Sequence, residues 1–202
     1  MSKQVQLFDA EIGVQLVQIA RRSLEQYVRD KHHYRPDLAP LPQSICQPGC
    51  SFITLTDHGW LRGCIGNTMP RWPLAEDVAR NAVAAATRDP RFSPVAAREL
   101  ADIRLEVTVL TPPQELPYTN YEELLEKLRP RIDGVMLTLD MRRGLLLPQV
   151  WDRIPEPAEF LQAITYKAGI PPYELMMSPP TITVHTFQVQ HFHEPGYQEP
   201  GG

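Results

Sequence analysis

Proline sets the first limit on what this chain can fold into. There are 21 prolines in 202 residues, about twice the usual ~5% share, and each one fixes φ and removes a backbone donor. The expectation is many short elements on stiff connections, without long helices. Apolar residues at 43% and charged residues at 22% exclude wholesale disorder or a fibrous repeat. At this length roughly 70% of the unfolded surface is buried on folding, so neither disulfides nor a metal is needed to hold a core. The balance of 20 basic against 24 acidic residues, a net charge of −4, argues against a domain built mainly to neutralise phosphates. It leaves room for a local basic patch. No stretch approaches the ~18 apolar residues of a membrane span, and the amino terminus lacks a signal-peptide apolar run. With three cysteines, Cys46, Cys50 and Cys64, the reading is a cytoplasmic chain with reduced thiols.

Pattern divides the chain into elements. Asp9 is a reasonable N-cap, and Ile12, Leu16, Ile19, Ala20, Ser23 and Tyr27 form the stripe of one buried helix face. Residues 30–42 hold three prolines and read as loop. Runs 52–56 and 60–66, around the three-residue turn Asp57-His58-Gly59, predict a hairpin. A second helix is expected from Pro73 to about Arg88, ended by Asp89-Pro90. Residues 103–109 alternate with period two, turning Ile103, Leu105, Val107 and Val109 to the core and Arg104, Glu106 and Thr108 to the other side. A capping-box spacing from Thr119 to Glu122 opens a third helix. A strand pair over 134–140 and 144–150 follows, and then a helix from Pro157 to Ala168 stopped by Gly169. The last strand, 181–192, switches phase midway, which suggests a bulge or a strand covered on both faces. The fold class expected is α+β, with a mainly antiparallel sheet and flanking helices. The tail from Pro195 is expected to be flexible.

Strand parity selects the candidate site. If residues 60–65 are extended, Trp60, Arg62 and Cys64 share one face. A guanidinium so near the sulfur favours thiolate over thiol, and a thiol midpoint at or above ~8.5 counts against such activation. Gly63 and Gly66 bracket the thiol with positions lacking Cβ, open to a ligand or to a neighbouring backbone. The same pattern also fits a buried, inert cysteine with Arg62 as an outward rim residue. Sixteen of the twenty basic residues are arginine, and guanidinium forks suit carboxylate or phosphate recognition. Arg62 and Arg91 are therefore candidates for an anion pocket, while Asp89 with Arg91 also fits a simple ion pair.

Ordered blocks in this sequence resemble the AMMECR family. They are Leu61-Arg62-Gly63-Cys64-Ile65-Gly66, Asn81-Ala82 with Ala85-Ala86, Asp89-Pro90-Arg91-Phe92, Glu106 to Leu110 with Pro112-Pro113, Leu147-Pro148-Gln149-Val150, and Lys167-Ala168-Gly169. The bacterial branch is known as AmmeMemoRadiSam system protein A. The resemblance spans about residues 7–194 and implies an α+β domain of two subdomains. It also implies association with a Memo-like protein and a radical-SAM protein. No biochemical activity is established for the family, although a cysteine-based role in modifying a nucleic acid or another macromolecule has been proposed for it. On that footing the candidate catalytic residues are Cys64, Arg62 and Glu106. The candidate substrate-binding residues are Arg91, Asp89, Gly63, Gly66 and Gln149. No cofactor is implied. The chain departs from the family pattern in placing Trp151 directly after the Leu-Pro-Gln-Val block and Asn67 before Thr68.

Two metal readings are weaker. Cys46, Cys50, His58 and Cys64 offer four soft ligands without a common zinc spacing. His191 and His193, with Glu194 beside them, offer two imidazoles and a carboxylate at a strand end. His185 is a general base if folding brings it to Cys64, and otherwise a core histidine. Two functional classes follow: a cysteine-dependent enzyme component acting on an anionic small molecule or a macromolecule, and a non-catalytic adaptor docking the Memo-like and radical-SAM partners.

Overall fold

The computed structural model describes residues 7–177 and 180–200. In chain order the elements are α1 (Ala10–Asp30), β1 (Pro48–Asp57), β2 (Trp60–Gly66), β3 (Trp72–Pro73), α2 (Leu74–Thr87), β4 (Ile103–Leu110), β5 (Gln114–Glu115), α3 (Tyr121–Lys127), β6 (Gly134–Leu139), β7 (Arg142–Leu146), α4 (Pro157–Ala168), β8 (Thr183–Phe187) and β9 (Val189–His193). Short 3-10 turns lie between several of them. The fold is α+β with antiparallel strand pairing.

The chain forms two compact units, one built on residues 7–110 and 190–200 and the other on residues 111–189. In the first, the strand order is β2-β1-β4-β9, with β3 pairing β1. Leu16, Ile19 and Leu24 of α1 and Val78 and Ala82 of α2 pack with Ile53, Leu55, Leu105 and Val107 of the sheet. The second has the order β5-β8-β6-β7. Its core is built around Trp151 and Phe160, whose rings stack at 3.6 Å, with Leu137, Ile164 and Val184 around them.

Proline did not shorten every element. α1 runs for 21 residues, because the prolines begin only at Pro36. It starts where the Asp9 carboxylate accepts from the Ile12 amide and ends at Lys31 in the left-handed region, φ 57°. The β1–β2 turn is shorter than expected: Asp57 pairs with Trp60, leaving His58 and Gly59 at φ 49° and 82°. Two positive φ values in a two-residue loop match the right-handed twist of the flanking strands. The N-cap of α3 is Asn120, one residue later than the capping-box spacing suggested. The phase change read as a bulge in the last strand is a division instead. β8 belongs to the four-stranded sheet and β9 to the other, with Gln188 between them. Among the described residues no helix is long and apolar enough to cross a membrane.

Candidate functional site

Strand β1 lies between β2 and β4, and at its middle Thr54 pairs with Cys64 on one side and Glu106 on the other. Residues opposite one another in an antiparallel pair share a face, so Cys64, Thr54 and Glu106 project together, away from the α1–α2 core. The Cys64 Sγ lies 3.5 Å from the Thr54 hydroxyl. Thr108, two residues beyond Glu106, donates its hydroxyl to the Glu106 Oε1 at 3.1 Å and lies 3.1 Å from the His191 Nδ1. That same nitrogen is 3.3 Å from the Glu106 Oε1. A line of polar side chains therefore crosses four strands, with Glu106 only 7% exposed.

Asp89 forms the rim. It follows the end of α2, where the Asp89-Pro90 pair stops the helix, and its buried carboxylate accepts from the Cys64 amide at 2.8 Å. The same carboxylate takes the Arg91 Nε at 2.9 Å and Nη2 at 2.6 Å. Arg91 holds the Asp89 carboxyl far below the usual carboxylate range. Its own side chain is 54% exposed, so this guanidinium is held by Asp89 and faces water at the same time. The thiol of Cys64 responds to all of this. Burial pushes it up, the Thr54 hydrogen bond and the Arg91 charge pull it down, Asp89 and Glu106 push it up again, and the net direction is upward.

Arg62 does not take the position its parity suggested. The register slips between Leu55 and Thr56: Leu55 pairs with Gly63 and Thr56 with Leu61, which leaves Arg62 as the extra residue of a β-bulge. A bulge re-aims its side chain, and the guanidinium is committed to Glu99 at 2.8 Å and to the Ser93 carbonyl at 2.9 Å. Arg62 in turn holds the Glu99 carboxyl below its usual value. The cation that pulls the thiol down is Arg91, and the net shift is still upward.

The two bracketing glycines are filled by the protein itself. A Cβ on Gly63 would stand 2.2 Å from the Ala85 carbonyl oxygen of α2, so this position admits a neighbouring backbone, not a ligand. A Cβ on Gly66 would stand 2.2 Å from the Phe52 ring. Gln149 lies in the 3-10 turn Pro148–Asp152 of the other unit; His185, in β8 of that same unit, has its Nδ1 buried without a hydrogen-bond partner. The histidine beside Glu106 is His191, which sequence reasoning considered only as a metal ligand. The period-two spacing of Val189, His191 and His193 was the available signal.

The segment expected to be a flexible tail lies on the same face. The Glu194 carboxylate is gripped by Arg21 through Nε at 2.7 Å and through Nη2. It also accepts the Leu105 amide at 3.1 Å. A turn then brings the Tyr197 amide to the Glu194 carbonyl at 3.1 Å and stacks the Tyr197 ring on His193, 5.7 Å between centroids. Burial first, then the charges of Glu106, Glu199 and Cys64, push the Tyr197 hydroxyl well above its ordinary value.

The remaining cysteines do not join Cys64. Cys46 donates to the Leu38 carbonyl at 3.5 Å, and burial pushes the Cys50 thiol up to about 12. His58 is exposed beside Asp57, and Glu194 is taken up by Arg21. Among the described residues no group of three or more His, Cys, Asp or Glu side chains is arranged to hold a metal ion.

Comparison with known proteins gives one consistent family. The AMMECR1 family model matches residues 17–192. A protein of Methanothermobacter thermautotrophicus is 42% identical over 190 residues, covering 91% of this chain and 95% of that one. Protein MJ0810 of Methanocaldococcus jannaschii is 35% identical over 197 residues, covering 94% of each. Among solved structures, the crystal structure of the uncharacterized protein PH0010 from Pyrococcus horikoshii matches with a TM-score of 0.83 at 32% identity, over 96% of both chains.

Proposed function

The chain belongs to the AMMECR1 family, and from that premise we propose that the Cys64 face is a reactive site. Cys64 is the nucleophile, Glu106 takes its proton, and Arg91 anchors an anionic group of the substrate. The observation that supports this most strongly is the Cys64–Thr54–Glu106 line across three adjacent strands, with Asp89 tying Arg91 to the Cys64 backbone.

The raised thiol dictates the order of events. A neutral sulfhydryl is a weak nucleophile, so proton and sulfur move in the same step. The S–H proton passes to the Glu106 carboxylate as an S–C bond forms at an electrophilic carbon of the substrate. It then leaves with the displaced group. Bound anion at Arg91 brings the electrophile to the sulfur, and Thr108 and His191 hold the carboxylate that receives the proton. Arg62, spent on Glu99 and Ser93, fixes the loop behind Phe92 and has no part in the transfer.

The finer reading sets this protein in an AmmeMemoRadiSam-type system, with a Memo-like and a radical-SAM protein as partners. The upward shift of the thiol favours a second role there, that of an adaptor that docks those partners without chemistry of its own. One experiment separates the two. The protein is isolated with its genomic neighbours, and the Cys64 peptide is examined by mass spectrometry. The enzyme reading expects an adduct on Cys64 that falls in Arg91→Ala and is absent in Cys64→Ala. If no adduct forms and Cys64→Ala leaves complex formation and system output intact, the adaptor reading stands alone. If no complex forms under any condition, the adaptor reading fails.

A further inference from the structure

We infer that residues 194–198 are a strap that covers the Cys64 face and governs access to it, with Tyr197 as the gate. This rests on the reading of Cys64 as a reactive thiol. The strap lies beyond the segment matched by the family model, which ends at residue 192.

The strap has a fixed end and a weak end. At the fixed end Glu194 is held by the two-pronged contact with Arg21 and by exchange with the Leu105 backbone, its amide donating to the Leu105 carbonyl at 3.1 Å. Charge-assisted bidentate bonds of this kind are the strong ones. Pro195 follows, and then Gly196 at φ 79°, a conformation that costs other residues but not glycine. The chain can therefore turn sharply enough to lay Tyr197 back across the sheet. Beyond the turn the holding contacts are slighter. They are one backbone hydrogen bond to Glu194, the ring of His193, and the approach of Gln198 to the β1–β2 turn at Gly59. A segment with a firm hinge and few contacts at its far end is the kind that opens locally while the rest of the fold stays closed.

The strap crosses the face that carries the reacting group. The Tyr197 ring, stacked on His193 and followed by Gln198 at the β1–β2 turn, lies across the strands that carry Glu106 and Cys64, close enough for both to act on its hydroxyl. With the strap down, Glu106 is 7% exposed and Cys64 is only partly open to solvent, so a bulky substrate meets the strap before it meets the sulfur. With Tyr197 lifted, the line from Cys64 to His191 opens across the strands, while Arg21 keeps the hinge in register. The gate thus selects substrates that supply enough contact on the sheet to replace the phenol.

The test is the alkylation of native protein by iodoacetamide, read peptide by peptide so that Cys64 and the buried Cys50 are followed together across alkaline pH. The high-pH plateau of the Cys64 rate reports access, and the ratio to Cys50 cancels any general loosening of the fold. Truncation after Glu194, and separately Tyr197→Ala, should raise the Cys64-to-Cys50 ratio about tenfold, as expected when a local opening no longer precedes reaction. Tyr197→Phe, which keeps the covering ring, should stay near the wild-type ratio. Ratios unchanged in both the truncated chain and Tyr197→Ala overturn the strap. Because the readout is access and not turnover, a freed Cys64 without any adduct in the cellular experiment removes the enzyme reading and keeps the strap. An adduct with unchanged ratios does the reverse.

Discussion

Asp89 does two jobs with one carboxylate: it receives the Cys64 amide and it orients Arg91. Asp89→Asn keeps the shape but loses the charge, and it should cost about 2–3 kcal/mol, the range for buried hydrogen bonds to charged groups. The pH dependence has a definite sign. The native carboxyl is held below its unfolded value of about 3.9, so its contribution to stability is complete above that pH and is lost as the pH falls toward the native value. Thermal melts between neutral and acid pH should show the wild type and Asp89→Asn converging at the acid end. The outward direction of Cys64 and Glu106 and the Asp89–Arg91 pair could be read from sequence, since each depends on strand parity or on near neighbours. The side chain of Arg62 could not, because a single bulge residue reverses a parity argument and nothing in its local spelling announces it. Tyr197 was missed because a Pro-Gly segment carries the composition of a free end whether or not it finds a surface.

At the scale of elements, the helix–sheet contact behind the site is closer than its small residues alone suggest. Gly63 lies against the Ala85 carbonyl of α2, so Gly63→Ala must push helix from strand. It should destabilise by about 3 kcal/mol, the upper range for overpacking, visible as a lowered denaturant midpoint. A second link is the buried Asp77 of α2. Its Oδ2 accepts from the Ser51 amide, the Ser51 hydroxyl and Asn81, and its Oδ1 accepts from Asn67. Every partner is a donor, so Asp77→Asn would aim an amide N–H at another donor and should lose about 2–3 kcal/mol. The extents of α1, α2, α4 and β4 were legible because periodicity, caps and stops agreed. The boundary between β8 and β9 was not, since a chain crossing from one sheet to another looks, residue by residue, like one strand with a fault.

At the scale of the molecule, the second unit is a continuous insertion in the first. The chain leaves after Leu110 and returns at Gln190, and the ends of the insertion clasp each other. The Thr111 amide donates to the Gln188 carbonyl at 2.9 Å, and the Gln188 amide donates to the Thr111 hydroxyl at 2.9 Å. With joined ends and a core of its own around Trp151, residues 111–189 should fold when expressed alone. A cooperative melt with near-ultraviolet dichroism is the expected result. In that fragment Trp151→Ala should remove about 4 kcal/mol and abolish the transition. Length and composition allowed two lobes, but no single segment marked where one ends, because the divide falls inside a run of strands and not in a linker.

The most direct test of the account is the pH dependence of Cys64 alkylation in the wild type and two variants. The account predicts a midpoint above that of a free thiol, raised further in Arg91→Ala, where a stabilising cation is lost, and lowered in Glu106→Gln, where an opposing anion is lost. A wild-type midpoint at or below the free-thiol value, or one that neither substitution moves, would contradict it.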